Sequence, residues 1–180
     1  GKFGGSGYKV SGGLHGVGSS VVNALSEWLE VEVYQEGKIY YQRFKRGSIA
    51  CELKVIGETQ DVGTLIRFKA DPEIFTETTE YEYEVLERRL REQAFLNAGL
   101  SITLYDLRDA DNTVQENFKY DGGLRSFAEY ISTSKSLTPI HEKPIHFLSV
   151  SEDKSVEVAM LYNNSYNEIL LSFANNVRTV

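Results

Sequence analysis

The sequence predicts a layered α/β sandwich followed by a smaller, strand-rich second unit. Three observations carry this reading. A glycine-rich stretch from Gly4 to Gly18 leads into an amphipathic segment. Short runs of alternating character follow, bounded by turn residues, as in strands and hairpins. A longer run, Glu80 to Leu96, repeats apolar residues at helical spacing before further strand-like runs. Strands interleaved with helices imply helices packed on a sheet.

The elements follow in order. Val21, Val22, Leu25, Trp28 and Leu29 share one helical face, which predicts a helix after the glycines. Glu30 to Tyr34 and Ile39 to Phe44 are expected to form a hairpin about the turn Gln35 to Lys38, closed by Lys45-Arg46-Gly47. Cys51 to Gly57 and Thr64 to Lys69 are two further expected strands, and Asp71-Pro72 opens a turn. In the helix from Glu80 to Leu96, Tyr83, Leu86, Leu90 and Ala94 line one face, and Asn97-Ala98-Gly99 ends it. Ser101 to Tyr105 is a strand, and a polar, hairpin-like loop surrounds Asp109 to Asn112. Asp121-Gly122-Gly123 opens a helix to Ser132, and Thr133 to Pro144 is expected as a linker. Ile145 to Val150, Val156 to Tyr162 and Glu168 to Phe173 are the strands of the second unit.

With 180 residues the chain can build one good core or two small ones. No apolar run approaches the ~18 residues of a membrane span, and no leader-like segment opens the chain. The one cysteine, Cys51, is expected to be inert in a strand and excludes an intrachain disulfide. A cytoplasmic location fits this usage. The net charge of −7 does not attract DNA through the overall field, so DNA contact would need a local patch or other parts of a larger protein. The chain opens inside a motif and its sole methionine, Met160, is internal, so an internal segment of a longer protein is expected.

Glycines before a helix suit a phosphate, because free N–H groups and the positive end of the dipole meet there. No window fits G-x-x-x-x-G-K-[ST]. Gly13-x-x-Gly16-x-Gly18 reverses the dinucleotide spacing and follows no strand. From spacing alone, a glycine-rich loop without a ligand is the alternative. Three histidines without a second ligand nearby do not make a metal site, and His141 and His146 are expected at the surface. Arg88, Arg89 and Arg91 are expected on a solvated helix face, paired with residues such as Glu84. The aromatic residues do not interleave with basic ones as on a nucleic-acid platform.

Gly1 to Gly18, with Ser20-Val21-Val22-Asn23-Ala24-Leu25, resembles the ATP-lid stretch of the DNA gyrase B family. That family lies among the GHKL ATPases, with Hsp90, MutL and histidine kinases. Gly63-Thr64, Glu92 to Leu96, Tyr120 to Gly123 and Ser172 to Asn176 extend the resemblance over essentially the whole chain. It implies a GHKL (Bergerat-type) ATPase sandwich, its C-terminal part over residues 1–119. The start of a ribosomal protein S5-like transducer domain is implied over 120–180. ATP and Mg²⁺ are the implied cofactors. Gly13, Leu14, His15, Gly16, Val17 and Gly18 match the positions whose amides wrap the β- and γ-phosphates. Lys2, Tyr8 and Lys9 match nucleotide contacts, and Thr64 matches the threonine that supports adenine and its carboxylate. Gly16 and Gly18 are expected to be required both by the turn and by the phosphate approach.

In the family the general base, the metal ligand and the adenine-binding aspartate precede the lid. No catalytic or metal residue is therefore expected within this chain, nor ATP turnover by it alone. Ser19, Gln35 and Ile66 match the aminocoumarin inhibitor pocket, where Gln35 stands in place of a common arginine. The implied partners are the A subunit of DNA gyrase in an A2B2 assembly, double-stranded DNA, and a second copy on ATP binding, with no membrane. The activity implied for the whole protein is ATP-driven strand passage and negative supercoiling. The B subunit of topoisomerase IV is the alternative, against which Val10 and Pro72 to Thr76 speak. A non-catalytic nucleotide-binding or dimerisation module is the alternative of another class.

Overall fold

The computed structural model describes residues 17–152 and 154–179. Two compact units divide between Glu80 and Tyr81. This division of contacts falls ahead of Lys119, the handover that the resemblance implies.

In the first unit a short helix, α1 (Gly18–Ala24), leads into β1 (Ser26–Gln35). The helix expected to reach Leu29 therefore ends early. Ser26 Oγ donates to Val22 O at 2.6 Å across the helix end. Beyond it Leu29, Val31 and Val33 alternate with Glu30, Glu32 and Tyr34, and the period of two prevails over the helical spacing. β2 (Lys38–Lys45) returns antiparallel through a Glu36-Gly37 turn with φ of 53° and 77°, the mirror-image geometry that matches strand twist. The Arg46-Gly47 turn repeats this into β3 (Ser48–Ile49). β4 (Lys54–Glu58) also pairs with β2, and β5 (Gly63–Ala70) pairs with β1. Cys51 lies in a bend before β4, not in a strand, and its Sγ accepts from Arg43 N at 3.3 Å.

The register sorts the sheet into two faces. Val31 pairs with Gln42 and Ile66, Val33 with Tyr40 and Thr64, and Leu29 with Phe44 and Phe68. This face is mostly apolar, with Leu29 buried while Ile66 is 52% exposed. On the opposite face Tyr34 donates to Glu32 at 2.6 Å, Arg67 pairs with Glu32 at 2.6 Å and Tyr41 donates to Glu30 at 3.0 Å. The bonds from Tyr34 and then Arg67 hold the Glu32 carboxyl below its ordinary range.

One buried carboxylate closes this unit. Asp71, 1% exposed, follows β5 and donates its backbone N–H to Leu25 O at 3.1 Å. Its side chain accepts from Glu73 N at 3.0 Å and from Arg46 Nε at 2.7 Å. The end of α1, the β2–β3 turn and the end of β5 are thereby tied at one residue.

In the second unit α2 (Tyr83–Leu96) precedes the hairpin of β6 (Ser101–Asp106) and β7 (Val114–Lys119). The polar loop expected around Asp109 to Asn112 is the connection of this hairpin. β7 itself was hidden in the sequence by its polar centre, Gln115-Glu116-Asn117. α3 (Leu124–Ser134) runs into the expected linker, and β8 (Ile145–Ser151) pairs with β9 (Lys154–Met160). The strand expected over Glu168 to Phe173 is reduced to β10 (Phe173–Ala174), paired with β11 (Val177–Arg178) around Asn175-Asn176 at φ 48° and 64°.

Ala94, Phe95, Phe118 and Phe127 form the core here. Phe95 stacks on Tyr120 at 3.6 Å and on Phe127 at 4.9 Å between centroids. Gly123 opens α3 at φ 57°, the left-handed region that favours glycine, and a Cβ on Gly122 would displace the Ser126 hydroxyl. Arg91 corrects the expectation of a solvated basic run. Its side chain is only 18% exposed, pairs with Glu87 and with Glu116 at 2.7 Å, donates to Tyr130 Oη at 3.1 Å, and lies over the Phe118 ring. Burial opposes its charge, but the bonds to Glu116 and Glu87 outweigh it and hold the guanidinium above its ordinary range.

The Asp71 clasp makes a prediction. The Glu73 N–H, and then Arg46, hold the Asp71 carboxyl below its ordinary range against burial. A depressed carboxyl contributes stability above its unfolded-state value and loses it as pH falls through the folded one. Asp71→Asn should lower the urea midpoint at neutral pH, and its gap from the parent should close below about pH 4. A gap that persisted unchanged into strong acid would show that the charge is not what holds the clasp.

Candidate functional site

Lys2, Tyr8, Lys9, Gly13, Leu14, His15 and Gly16 lie outside the described residues. Val17, Gly18 and Ser19 stand at the start of α1, and the helix opens without a side-chain cap. The first N–H groups of any helix have no acceptor within the helix. Gly18 has no positive φ, and among the described residues a Cβ built on it meets nothing within 4 Å. Its own φ therefore does not call for glycine, and the rest of the glycine-rich turn lies outside the described residues.

Gln35, Thr64 and Ile66 are brought to one face. Thr64 sits opposite Val33 and Ile66 opposite Val31 on adjacent strands, and Gln35 lies two residues beyond Val33 on β1. Thr64 also lines a depression of about 310 Å³ with Tyr34, Asp61, Val62, Gly63 and Leu65. The loop before β5 is shaped by Thr59, whose Oγ1 accepts from Asp61 N at 3.0 Å. Gln35 is exposed at the strand end, and its Nε2 donates to Glu36 Oε1 at 3.3 Å. It offers a neutral donor where an arginine would offer a charged one. Ser19 is on a different element, and among the described residues no hydrogen bond joins it to these three. Nor do three or more His, Cys, Asp or Glu side chains gather to hold a metal among the described residues.

The sequence singles out Glu92 to Leu96, Tyr120 to Gly123 and Ser172 to Asn176 without revealing that they meet. Gln93 Nε2 donates to Asn176 O at 3.1 Å, and Asn176 Nδ2 donates to Asn97 Oδ1 at 2.8 Å. Phe173 approaches Phe127 at 6.2 Å. The Asn-Asn turn was a legible signal for the hairpin, but its docking on α2 was not. These segments build the second unit and do not line the depression beside Thr64.

The chain is 54% identical over 179 residues, 99% of its length, to the B subunit of DNA gyrase from Staphylococcus aureus. It is 52% identical to that of Staphylococcus epidermidis strain RP62A, again over 99% of its length. It spans 28% and 27% of these relatives. The DNA gyrase B family model matches residues 123–180. The 43K ATPase domain of Thermus thermophilus gyrase B, solved with an aminocoumarin, superposes with a TM-score of 0.79 at 38% identity, over 91% of this chain and 44% of that one. The mixed α/β architecture is shared with that domain.

Proposed function

We propose, taking the chain as a homologue of DNA gyrase B along its length, that it is a segment of the ATP-binding B subunit of a bacterial DNA gyrase. The observation that carries this reading is the 54% identity over 99% of the chain, glycine-rich stretch included. In this reading residues 1–119 are the C-terminal part of the GHKL ATPase domain. Residues 120–180 begin the transducer, and a family-model match starting at residue 123 supports a handover there. The gyrase reading is preferred to topoisomerase IV for Val10 and for Pro72 to Thr76.

The chemistry of this segment is binding. Amides from Gly13 to Gly18 would hold the β- and γ-phosphates, and Lys2 and Lys9 would add point charges for the phosphate oxygens. Tyr8 contacts the nucleotide, and Thr64 supports adenine from the sheet. Magnesium, when bound, would neutralise phosphate charge, and in this reading its protein ligand precedes the lid. In the whole protein, ATP binding would drive self-dimerisation. Together with the A subunit it would power strand passage through DNA in the cytoplasm.

Two variants in the complete B subunit test the site. Gly18→Val should fold, since its Cβ meets none of the described residues within 4 Å, yet lose at least about tenfold in affinity for a non-hydrolysable ATP analogue. Normal binding by calorimetry would remove Gly18 from the phosphate site. Gln35→Arg should tighten aminocoumarin binding and leave ATP affinity unchanged. A charged donor contributes about 1 kcal/mol more than a neutral one, up to roughly tenfold in affinity. Equal inhibitor affinity in parent and variant would take Gln35 out of the pocket.

A further inference from the structure

The α3–β8 connection and the segment after β9 run side by side. Ile140 N donates to Tyr162 O at 3.0 Å, and Asn164 N to Thr138 O at 3.1 Å. Pro139 and Asn163 form a bridge between these bonds. His141 fastens the end of this ladder. Its Nε2 lies 2.9 Å from Tyr162 N, and its Nδ1 lies 2.7 Å from Lys143 O. An amide N–H can only donate and a carbonyl can only accept, so Nε2 must be bare and Nδ1 must carry the hydrogen. Both partners thus select one neutral tautomer. The Tyr162 ring meets the imidazole edge-on, with centroids 5.8 Å apart.

We propose that His141 is a pH-sensitive latch between the α3–β8 connection and the segment after β9. Protonation from solvent places a hydrogen on Nε2, facing the Tyr162 N–H. Acceptor becomes donor, the bond to the Tyr162 N–H is lost, and the latch opens when the ring gains its second proton. The bond belongs to the neutral form, so its contribution is present at the higher pH and lost at the lower. Glu142 and Lys143 flank the ring on its own loop, and Tyr162 is the titratable group facing it from the other segment. No carboxylate pairs with it among the described residues. His146 makes the contrast: its Nε2 lies 2.8 Å from Glu157 Oε1, a contact that protonation reinforces.

Nuclear magnetic resonance on the ¹⁵N-labelled 180-residue chain tests this without a mutation. Ring ¹⁵N shifts should report hydrogen on Nδ1 of His141 at neutral pH, and the Tyr162 amide shift should titrate together with that ring. Amide-exchange protection at Tyr162 should fall several-fold, up to about tenfold, once the ring is charged. His141→Gln keeps an acceptor that does not titrate, so its Tyr162 amide should be flat over the same range. A ring protonated on Nε2 at neutral pH, a Tyr162 amide indifferent to the His141 titration, or an unchanged titration in His141→Gln would each overturn the latch.

Discussion

Everything in the first unit depends on the register of β1. One slip of a single residue would turn Leu29, Val31 and Val33 outward and bury Glu30 and Glu32. The Glu36-Gly37 turn fixes the pairing with β2, and the β5 ladder repeats it on the other side. Thr64, Ile66 and Gln35 reach one face only because that register holds. The polar face has its own bonds, from Tyr34 and Arg67 to Glu32 and from Tyr41 to Glu30, and these would be broken by the same slip.

The second unit solves a different problem, how to keep a guanidinium against aromatic rings. Arg91 is desolvated by Phe118 and Tyr130, yet Glu87 and Glu116 keep it charged, so one side chain joins α2 to β7 and α3. Removing a single carboxylate would leave a half-buried charge without full compensation. The stacking of Phe95 with Tyr120 and Phe127 then closes the core beside it.

Much of this was legible in the sequence, and the misses have physical causes. The β1–β2 hairpin, α2, α3 and the β8–β9 pair all follow from periodicity and turn residues. Trp28 and Leu29 satisfied a helical spacing and a strand alternation at once, and tertiary pairing decided for the strand. β7 was hidden because Gln115 and Asn117 occupy exposed positions where pairing, not hydrophobicity, sustains the strand. Arg91 read as surface because Glu116, Tyr130 and Phe118, unlike Glu87 one turn away, come from elsewhere in the chain. Of the candidate site, Thr64 and Ile66 were within reach through strand alternation and the family resemblance. That Gly18 has no positive φ was not legible, since spacing alone does not separate a glycine needed by a turn from one needed by a ligand.

The central claim, that this chain belongs to the ATP-binding component of a gyrase, is tested most directly on relaxed closed-circular DNA. The complete B subunit carrying this segment, combined with its own A subunit, should introduce negative supercoils when ATP is added and none when it is withheld. Decatenation and relaxation without supercoiling would contradict the gyrase assignment, and supercoiling indifferent to ATP would contradict the nucleotide-binding role of the segment.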